Sequence, residues 1–538
     1  MALKILTVTS EAFPLAKSGG LGDAVSGMAQ ALRRQGVDIS LLMPAYAGVR
    51  EKMTGLTEIC QLEGLPGGPA QLVYGKCAEL DVPVYLLVND ALFNRRALYV
   101  DENGNEFGDN PIRFAALSHA ATQIAAGNTP LSRPDVVHAH DWHAGLVPML
   151  IDQAGIKDVR TVLTIHNLAF QGVYDLDLTD ALHIDSKYRG ADSLEFWGKM
   201  NFMKVGIRYA DRISAVSRTY AREILTPEFG CGLEGVLQAR RDALVATPNG
   251  IDDAVWSPSN PAISADRRFS AADIANKALC KQDLQRKFGL ALDPNATVMA
   301  MGSRLTTQKM ADLAADAIPR ALAAHPTLQV AVIGQGDKRL EQAMAAAAEA
   351  FPGRFSVNIG FDEETAHMLH AGGDILLHGS RFEPFGLTPI YAMRYGTLPI
   401  GSNTGGMADT ITDAGGNTGL SAMRGSTGFL FEGATVEAMV EAIDRAMAVR
   451  AHPGIWRAMQ HNAMTADFSW ANSVSVYMRV YRSLVPSALF LEPNSELVAA
   501  RAAARRSAAA ALDRKPEARK ARPAMPLGDR RMAGGVAA

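Results

Sequence analysis

Lys4–Val8 (KILTV), followed by the turn Ser18–Asp23 (SGGLGD), decides the fold at the start of the chain. The apolar run predicts a buried strand, and apolar residues at helical spacing over Leu21–Gln35 predict a helix after the turn. A second apolar run, Asp38–Met43 (DISLLM), predicts the next strand. A strand, a helix and a strand in this order are typical of a parallel sheet that carries helices on its faces.

The turn Ser18–Asp23 has a counterpart late in the chain, Thr404–Asp409 (TGGMAD). Glycines have no Cβ and let a ligand approach the backbone, and the unpaired N–H groups at the start of a helix attract an anion. Lys17, directly before the first turn, adds a positive charge. Two such turns suggest two similar lobes that face one charged ligand; two ordinary glycine turns are the alternative.

Short apolar runs and helical patterns continue to alternate in two series, separated by the polar stretch Ser257–Lys277. We therefore predict an α/β protein with two doubly wound, Rossmann-like domains, residues 1–257 and 258–468. The spacing of Ser469–Leu484 predicts a last helix, and the composition of the Ala/Arg-rich tail, 487–538, predicts disorder. The further predicted strands are Val84–Val88, Asp135–Ala139, Thr161–Ile165, Arg212–Val216 and Leu244–Thr247 in the first series, and Thr297–Met301, Leu328–Ile333, Phe355–Ile359, Ile375–Leu377, Leu398–Gly401 and Gly428–Phe431 in the second.

Composition and charge disfavour several classes of partner and location. The 538 residues carry a net charge of −3, so we expect neither nucleic acid nor an anionic membrane as a partner. The sequence has no apolar run long enough to predict a membrane span, and its start lacks the pattern of a signal peptide. Four scattered cysteines without a Cys-x-x-Cys pair favour free thiols in a reducing, cytoplasmic environment over a zinc site.

Histidines follow two of the predicted strands in the first half. His138–His143 (HAHDWH) fits three interpretations: a metal site, structural histidines, or a strand end that brings Asp141, Trp142 and His143 into a cleft. We favour the strand end, because ligands of doubly wound sheets bind at the carboxyl ends of the strands. His166 ends the next strand and is either a ligand contact or a structural histidine.

Two cations follow the first strand of the second half. Arg304 supplies a planar fork of donors and Lys309 a point charge, a combination suited to phosphate oxygens. A pair of solvated surface cations is the alternative. Gly334–Asp337 (GQGD) lacks the third glycine of a dinucleotide fingerprint and predicts a tight turn, not an NAD site.

Ser380–Thr388 (SRFEPFGLT) is the segment richest in candidate ligand contacts. Glu383 can accept hydrogen bonds from sugar hydroxyls at the start of the predicted helix. The backbone N–H groups near Gly386–Thr388 can face a phosphate. The alternative is that Glu383 only caps the helix.

Taken together, these motifs resemble those of the glycosyltransferase family 5 enzymes, the bacterial glycogen synthases and plant starch synthases. The resemblance implies two Rossmann-like domains with the active site between them, and a last helix, residues 469–486, that crosses back to the first domain. It also implies transfer of glucose from ADP-glucose to the non-reducing 4-hydroxyl of an α-1,4-glucan (glycogen), with retention. It runs in order through residues 1–486 and is carried by Lys17–Asp23, His138–His143, Ile165–Asn167, Arg304–Lys309 and Ser380–Thr388.

The resemblance further implies roles for single residues. Arg304 and Lys309 would neutralise the departing diphosphate, and Glu383 would bind glucosyl hydroxyls. Asp141 and His166 would line the glucose and acceptor side. No metal and no cofactor are implied. The implied donor-binding positions are Lys17, Gly19, Gly20, Asp23, Asn249, Phe385, Gly386, Leu387, Thr388 and, across a gap in the match, Tyr99.

Two positions depart from the family pattern. Tyr391 stands where many related retaining transferases carry a second glutamate, and Phe385 stands where many relatives have cysteine. With no obvious carboxylate nucleophile, we expect attack on the face that the diphosphate leaves. The alternatives are a transferase that uses UDP-glucose or another acceptor, and a non-catalytic glucan-binding relative. An oxidoreductase or a periplasmic-type binding protein would share such a fold, but the missing third glycine and the missing signal peptide disfavour them.

Overall fold

The computed structural model of the chain describes residues 2–485, apart from 103, 261–262, 361 and 417–418. The predicted tail, 487–538, lies outside the described residues and stays a prediction. Within them, no helix is both long and apolar enough to cross a membrane.

Buried apolar strands form the centre of each half of the chain. The first lobe is defined here by the strands β1 Lys4–Val8, β2 Asp38–Pro44, β3 Thr54–Leu62, β4 Ala70–Cys77, β5 Leu80–Val88, β6 Val136–His140, β7 Arg160–Ile165, β8 Val173–Asp175, β9 Glu195–Phe196, β10 Lys199–Asn201, β11 Arg212–Ala215 and β12 Leu244–Ala246, and by the helices α1 Gly20–Arg33, α2 Asp90–Phe93, α3 Asn110–Ala126, α4 Val147–Gln153, α5 Phe202–Tyr209, α6 Arg218–Glu223 and α7 Glu234–Ala239.

The second lobe follows the same alternation of strand and helix. It is defined by the strands β13 Thr297–Gly302, β14 Leu328–Gly334, β15 Phe355–Ile359, β16 Ile375–His378, β17 Leu398–Ser402 and β18 Phe429–Phe431, and by the helices α8 Lys277–Lys287, α9 Ala311–Ala324, α10 Lys338–Glu349, α11 Glu363–Gly372, α12 Leu387–Arg394, α13 Gly405–Thr410, α14 Val436–Arg450 and α15 Pro453–Thr465; the last described helix is α16 Trp470–Leu484.

The sheet of the first lobe has the strand order β12-β11-β7-β6-β1-β2-β5-β4-β3 within the described residues. Its centre is parallel: Ile5 of β1 pairs with Ile39 of β2 on one side and with Val136 of β6 on the other. The central strands β1, β6 and β7 are buried along almost their whole length, including polar residues such as Thr7 and His138, as is typical of a sheet covered on both faces. The predicted strand–helix–strand start of the chain is confirmed, with the helix running from Gly20 to Arg33.

The sequence analysis missed the antiparallel edge of this sheet. β4 pairs antiparallel with both β3 and β5, and β5 begins at Leu80, earlier than the predicted Val84. Most residues of β3 are exposed, so the strand lacks the apolar run that indicated the others. A small antiparallel sheet in the order β8-β10-β9 was also missed, since its strands are only two or three residues long.

The sheet of the second lobe is parallel throughout its described strands, in the order β15-β14-β13-β16-β17-β18. Each of its strands was predicted from the sequence. The predicted class, α/β with two doubly wound units, is therefore confirmed.

Helix α16 contacts the first lobe although it follows the second in sequence. The hydroxyl of Tyr481 lies 2.8 Å from Nδ1 of His138 in β6. A Cβ at Gly27 of α1 would lie 2.0 Å from the indole nitrogen of Trp470, so only glycine allows this approach. The end of the described chain thus packs against the first lobe.

Candidate functional site

The candidate residues lie where neighbouring strands end. β7, β6 and β1 are adjacent in the first sheet, and the segments after them carry His166, Asp141 and the loop before α1. β13 and β16 are adjacent in the second sheet, and the segments after them carry Lys309 and Glu383. Because neighbouring parallel strands end at the same edge of a sheet, the topology of each sheet brings together segments that are distant in sequence.

A buried carboxylate, Glu11, holds the first glycine turn. Its Oε2 accepts hydrogen bonds from the backbone N–H groups of Ser18 (2.7 Å) and Gly19 (3.3 Å), and its Oε1 accepts from the Ser18 hydroxyl (2.7 Å). Glu11 is only 3% exposed. The sequence analysis missed Glu11; its signal was a charged residue three positions after the end of a buried strand.

Tyr99 is tied to the same turn through Glu11. Its hydroxyl donates to Glu11 Oε1 at 2.7 Å and lies 2.7 Å from the Ser10 hydroxyl. Burial raises the pKa of Tyr99 well above its ordinary value, and the charge of Glu11 adds to the effect, so the phenol stays a proton donor. The structure therefore places Tyr99 beside the glycine turn, and its contact with the donor stays a prediction.

Lys17 and Asp23 form an ion pair at the mouth of this turn. Lys17 Nζ lies 2.8 Å from Asp23 Oδ2, and the two side chains keep 29% and 23% of their surface exposed. Burial raises the pKa of the Asp23 carboxyl, although the charge of Lys17 opposes the rise. The ammonium group is thus held in place yet remains accessible to an anion.

Asp141 and His166 meet at the ends of β6 and β7. Asp141 Oδ1 accepts from the backbone N–H groups of His166 (2.7 Å) and Asn167 (3.3 Å). Burial raises the pKa of Asp141 to about 7 against these hydrogen bonds, and burial lowers the pKa of His166 to about 3. Nε2 of His166 is hydrogen-bonded to Nδ1 of His140 at 2.9 Å. Near neutral pH the imidazole of His166 is uncharged.

The strand-end interpretation of this segment is wrong for Trp142 and His143, and it stays a prediction for Asp141, which is 7% exposed. Both rings are 5% exposed and stack on each other at 4.0 Å, against Phe114 of α3. They belong to the core of the first lobe and not to a cleft. No cluster of three or more His, Cys, Asp or Glu side chains among the described residues is arranged to hold a metal ion.

In the second lobe, one carboxylate oxygen of Glu383 contacts both a lysine and a histidine. Lys309 Nζ forms an ion pair with Glu383 Oε2, and His378 Nε2 donates to the same oxygen at 3.1 Å. Burial alone would raise the pKa of Glu383, but Lys309 and His378 outweigh it and lower the pKa to about 2. The carboxylate is therefore ionised at neutral pH and accepts hydrogen bonds. The hydrogen bonds described for its side chain go to Lys309 and His378 and not to a backbone N–H of α12, so within the described residues it does not cap that helix.

The start of α12 faces the first glycine turn across the lobes. A Cβ at Gly20 would lie 3.2 Å from Leu387 Cδ1, so the two segments are in contact. Gly386 has a φ of +84°, a conformation that glycine adopts without strain, and Phe385 before it is 5% exposed. Thr388 follows in the first turn of α12. Gly20 of the first lobe and Leu387 of the second, both predicted donor-binding residues, thus lie in contact.

The second glycine turn does not face a ligand, which corrects the sequence-based expectation. A Cβ at Gly405 would lie 1.8 Å from the carbonyl oxygen of Glu383, and one at Gly406 would lie 2.0 Å from that of Phe385. The N–H of Gly405 donates to Glu223 Oε1 at 2.9 Å. These glycines allow close packing of backbone on backbone.

Arg304 and Asn249 make no hydrogen bond or ion pair with the other candidates in the described part of the chain. Arg304 is exposed, and its guanidinium lies 3.4 Å from Gln308 Oε1. Asn249 is 6% exposed; its carbonyl oxygen accepts from the Ser473 hydroxyl at 3.1 Å, while its side-chain Oδ1 is buried and, among the described residues, unpartnered. Arg304 is therefore accessible to a ligand, whereas the Asn249 side chain is buried.

An aromatic stack surrounds Tyr391, the position at which the sequence departs from many retaining transferases of this architecture. The ring of Tyr391 stacks on Trp256 at 3.7 Å and 7°, and His367 stacks on the other face of Trp256 at 4.1 Å. Trp256 lies in the segment between the lobes, so the stack joins that segment to α11 and α12. Tyr391 therefore fills a packing position.

Comparisons with known proteins agree with this arrangement. A family model described as the starch synthase catalytic domain matches residues 4–239, and one described as glycosyl transferases group 1 matches residues 282–459. The solved catalytic domain of starch synthase IV from Arabidopsis thaliana, bound to ADP and acarbose, superposes with a TM-score of 0.81 at 26% identity and covers 90% of this chain and 100% of its own. Sucrose-phosphate synthase from Thermosynechococcus elongatus shares the fold, with a TM-score of 0.55 at 17% identity, covering 90% and 100% of the two chains.

The fold and the position of the site define a two-domain α/β glycosyltransferase of the GT-B type. Among curated relatives, the glycogen synthase of Bordetella petrii is 54% identical over 480 residues, which is 89% of this chain and 92% of that protein. That of Ralstonia nicotianae is 49% identical over 489 residues, covering 91% and 89%. The chain belongs to the glycogen synthase family, glycosyltransferase family 5.

Proposed function

We propose that the protein transfers glucose from ADP-glucose to the non-reducing 4-hydroxyl of an α-1,4-glucan, with retention of configuration. The observation that carries the proposal is the ionised Glu383 beside Lys309, in a loop whose helix α12 faces the first glycine turn. Membership of the glycogen synthase family and the ADP bound to the starch synthase structure support the choice of donor.

The diphosphate is bound by cations from both lobes. Lys17 approaches from the first lobe, and Arg304 and Lys309 approach from the second. The N–H groups at Gly386–Thr388 add partial positive charge at the start of α12. Negative charge grows on the diphosphate as its bond to the sugar breaks, so these groups stabilise the transition state more than the bound donor.

The glucosyl group is held by acceptors of hydrogen bonds. Glu383 Oε1 is free of the Lys309 and His378 contacts, both of which fall on Oε2, and it accepts from the sugar hydroxyls. Asp141 Oδ1 takes both backbone N–H groups, which leaves Oδ2 for the glucose or the acceptor. The neutral imidazole of His166 donates or accepts one further hydrogen bond. Gly19, Gly20, Asp23, Asn249 and Tyr99 complete the donor side.

Retention follows from attack on the face from which the diphosphate departs. The sugar–phosphate bond breaks, the 4-hydroxyl oxygen of the acceptor forms the new bond to C1, and its proton passes to the departing phosphate oxygen. The Glu383 carboxylate is ionised, but its charge is engaged by Lys309 and His378, and Asp141 is bound to two N–H groups, so neither is poised as a nucleophile. The oxocarbenium-like charge of the sugar is balanced by the leaving diphosphate.

The reaction is tested by the linkage and configuration of the product. ADP-[13C]glucose is incubated with the full chain and a maltooligosaccharide primer, and the anomeric carbon of the added residue is observed by NMR. An α-1,4-linked residue supports the proposal. A β-linked residue would contradict retention. No transfer from ADP-glucose but growth in a parallel incubation with UDP-[13C]glucose would support the alternative transferase, and binding of glucan without transfer from either donor would support a non-catalytic relative.

Two further proposals concern the roles of the two domains and the cellular location of the protein. We propose that residues 1–257 form the acceptor-side domain and that 258–468 form the donor-side domain. The four free cysteines fit a reducing, cytoplasmic environment.

A further inference from the structure

Helices α6 and α13 belong to different lobes, and α13 holds the first turn of α6 with a carboxylate. Asp409 Oδ2 accepts from the backbone N–H groups of Arg218 (2.7 Å) and Thr219 (3.0 Å). Asp409 Oδ1 accepts from the Thr219 hydroxyl at 2.7 Å. These N–H groups have no partner within α6, so the carboxylate of the second lobe satisfies them.

Glu223 makes the same contact in the opposite direction. Its Oε1 accepts from the N–H of Gly405 at 2.9 Å and from the hydroxyl of Thr404 at 3.0 Å, at the start of α13. Glu223 ends α6, so each helix begins beside the end of the other. The second oxygen of Glu223 is buried and has no hydrogen-bond partner in the described ranges. The hydrogen bonds described for this carboxylate therefore all cross to the second lobe.

The start of α13 in turn holds the backbone that carries Glu383. The N–H of Gly406 donates to the carbonyl oxygen of Glu383 at 3.1 Å. Gly405, with a φ of +48°, lies so close that a Cβ would come within 1.8 Å of that oxygen. A displacement of the start of α13 must therefore displace Glu383.

We propose that Glu223 is a positioning residue for the donor site: from the first lobe it anchors the start of α13 and thereby fixes the backbone of Glu383 in the second lobe. This inference rests on the proposed function, since it concerns how Glu383 is placed for the sugar. Glu383 must keep both its ion pair with Lys309 and its 3.1 Å contact with His378. A misplacement of a reacting site by about 1 Å can cost about a hundredfold in rate. The correct position of Glu383 in the second lobe therefore depends on the contact that Glu223 of the first lobe makes with α13.

The test compares Glu223→Ala and Glu223→Gln with a matched control, Asp211→Ala. Asp211 Oδ2 accepts from the N–H (2.8 Å) and the hydroxyl (2.9 Å) of Thr161, the same pair of donor groups, but wholly inside the first lobe. Glu223→Gln keeps an oxygen for Thr404 and Gly405 and places an amide where the unpartnered oxygen lies. Steady-state kinetics per folded molecule are measured together with hydrogen exchange of residues 383–410.

The proposal predicts that Glu223→Ala lowers kcat by about ten- to a hundredfold and speeds exchange in residues 383–410. Glu223→Gln loses less than about threefold, and Asp211→Ala lowers the melting temperature while keeping kcat and that exchange rate. Should Glu223→Ala fail to fold, Glu223→Asp, which withdraws the carboxylate by one methylene, must change kcat and exchange in the same direction.

Wild-type kcat and exchange in Glu223→Ala would overturn the proposal, as would an equal loss of kcat in Asp211→Ala. If the wild-type protein transfers no glucose at all, the proposed function fails. The exchange of residues 383–410 then still decides whether Glu223 positions the Glu383 segment.

Discussion

Replacing Lys309 by methionine removes one charge from the donor site and keeps most of the side chain's volume. Lys309 pairs with Glu383 Oε2, and the Glu383 side chain is only 10% exposed. The variant leaves a buried carboxylate with His378 as its remaining described partner at that oxygen, 3.1 Å away. Both the rate of transfer and the protonation of Glu383 should therefore change.

The size of the effect follows from the pKa of Glu383. Burial raises this pKa, but Lys309 and then His378 lower it from an ordinary 4.5 to about 2. A lowering of about 2.5 units corresponds to about 3 kcal/mol. Because the folded pKa lies below the unfolded one, this stabilisation is present above pH 4.5 and is lost as the pH falls toward 2. The wild type should lose about 3 kcal/mol of its free energy of unfolding across that window. Lys309→Met, whose Glu383 lacks the ion pair, should lose much less.

Catalysis should respond in kcat more than in the donor KM, since the charge acts on the departing diphosphate. Loss of one charge-stabilising contact lowers kcat by about a hundredfold. The acid limb of the pH–rate profile should also move to higher pH, because burial then dominates the pKa of Glu383. Lys338→Met is the control: Lys338 forms a 2.7 Å ion pair with Glu341 while 81% exposed. Wild-type kcat and an unshifted profile in Lys309→Met would refute this account of Glu383.

Three further changes probe the rest of the site. Arg304→Ala should lower kcat by about a hundredfold. In the double variant with Lys309→Ala, the loss of kcat should be smaller than the product of the two single losses, because both side chains stabilise the charge of one diphosphate. A double-mutant cycle in which the two losses multiply would contradict this. Glu11→Gln should raise the KM for ADP-glucose by about tenfold, because the Glu11 carboxylate accepts four hydrogen bonds and an amide nitrogen accepts none. An unchanged KM would show that the first glycine turn does not depend on these hydrogen bonds. Burial raises the pKa of Asp141 from 3.8 to about 7, so the wild type loses stability as the pH rises through that range. The melting temperature of Asp141→Asn should therefore exceed that of the wild type by more at pH 8 than at pH 5. An equal difference at both pH values would contradict the raised pKa.

The fold was predictable from the sequence wherever both faces of a strand are buried. β1 and β14, for example, are mostly apolar and almost wholly buried, and a Gly- or polar-rich segment follows each. The edge strand β3 was missed, because an exposed strand carries few apolar residues. The boundary of β5 was wrong for the same reason at its N-terminal end, where Asp81 and Pro83 interrupt the apolar run.

The candidate site was predictable where its residues follow strands, because the carboxyl ends of parallel strands converge. Lys309 and Glu383 lie next to each other for this reason, although 74 positions separate them. The partners of the glycines were not predictable. Glu223 and Gly405 are 182 positions apart, and their contact depends on how the lobes meet. The pattern Thr404–Gly406 (TGG) therefore predicted an anionic ligand, but in the structure the Glu223 carboxylate accepts the hydrogen bonds of this turn.

The most direct test of the central claim is the rate of glucose transfer to glycogen from ADP-glucose and from UDP-glucose, measured side by side for the wild type and Glu383→Ala. The account predicts a kcat/KM for ADP-glucose at least about tenfold above that for UDP-glucose, and a loss of about a hundredfold or more in Glu383→Ala. A preference for UDP-glucose, or a Glu383→Ala protein as active as the wild type, would contradict it.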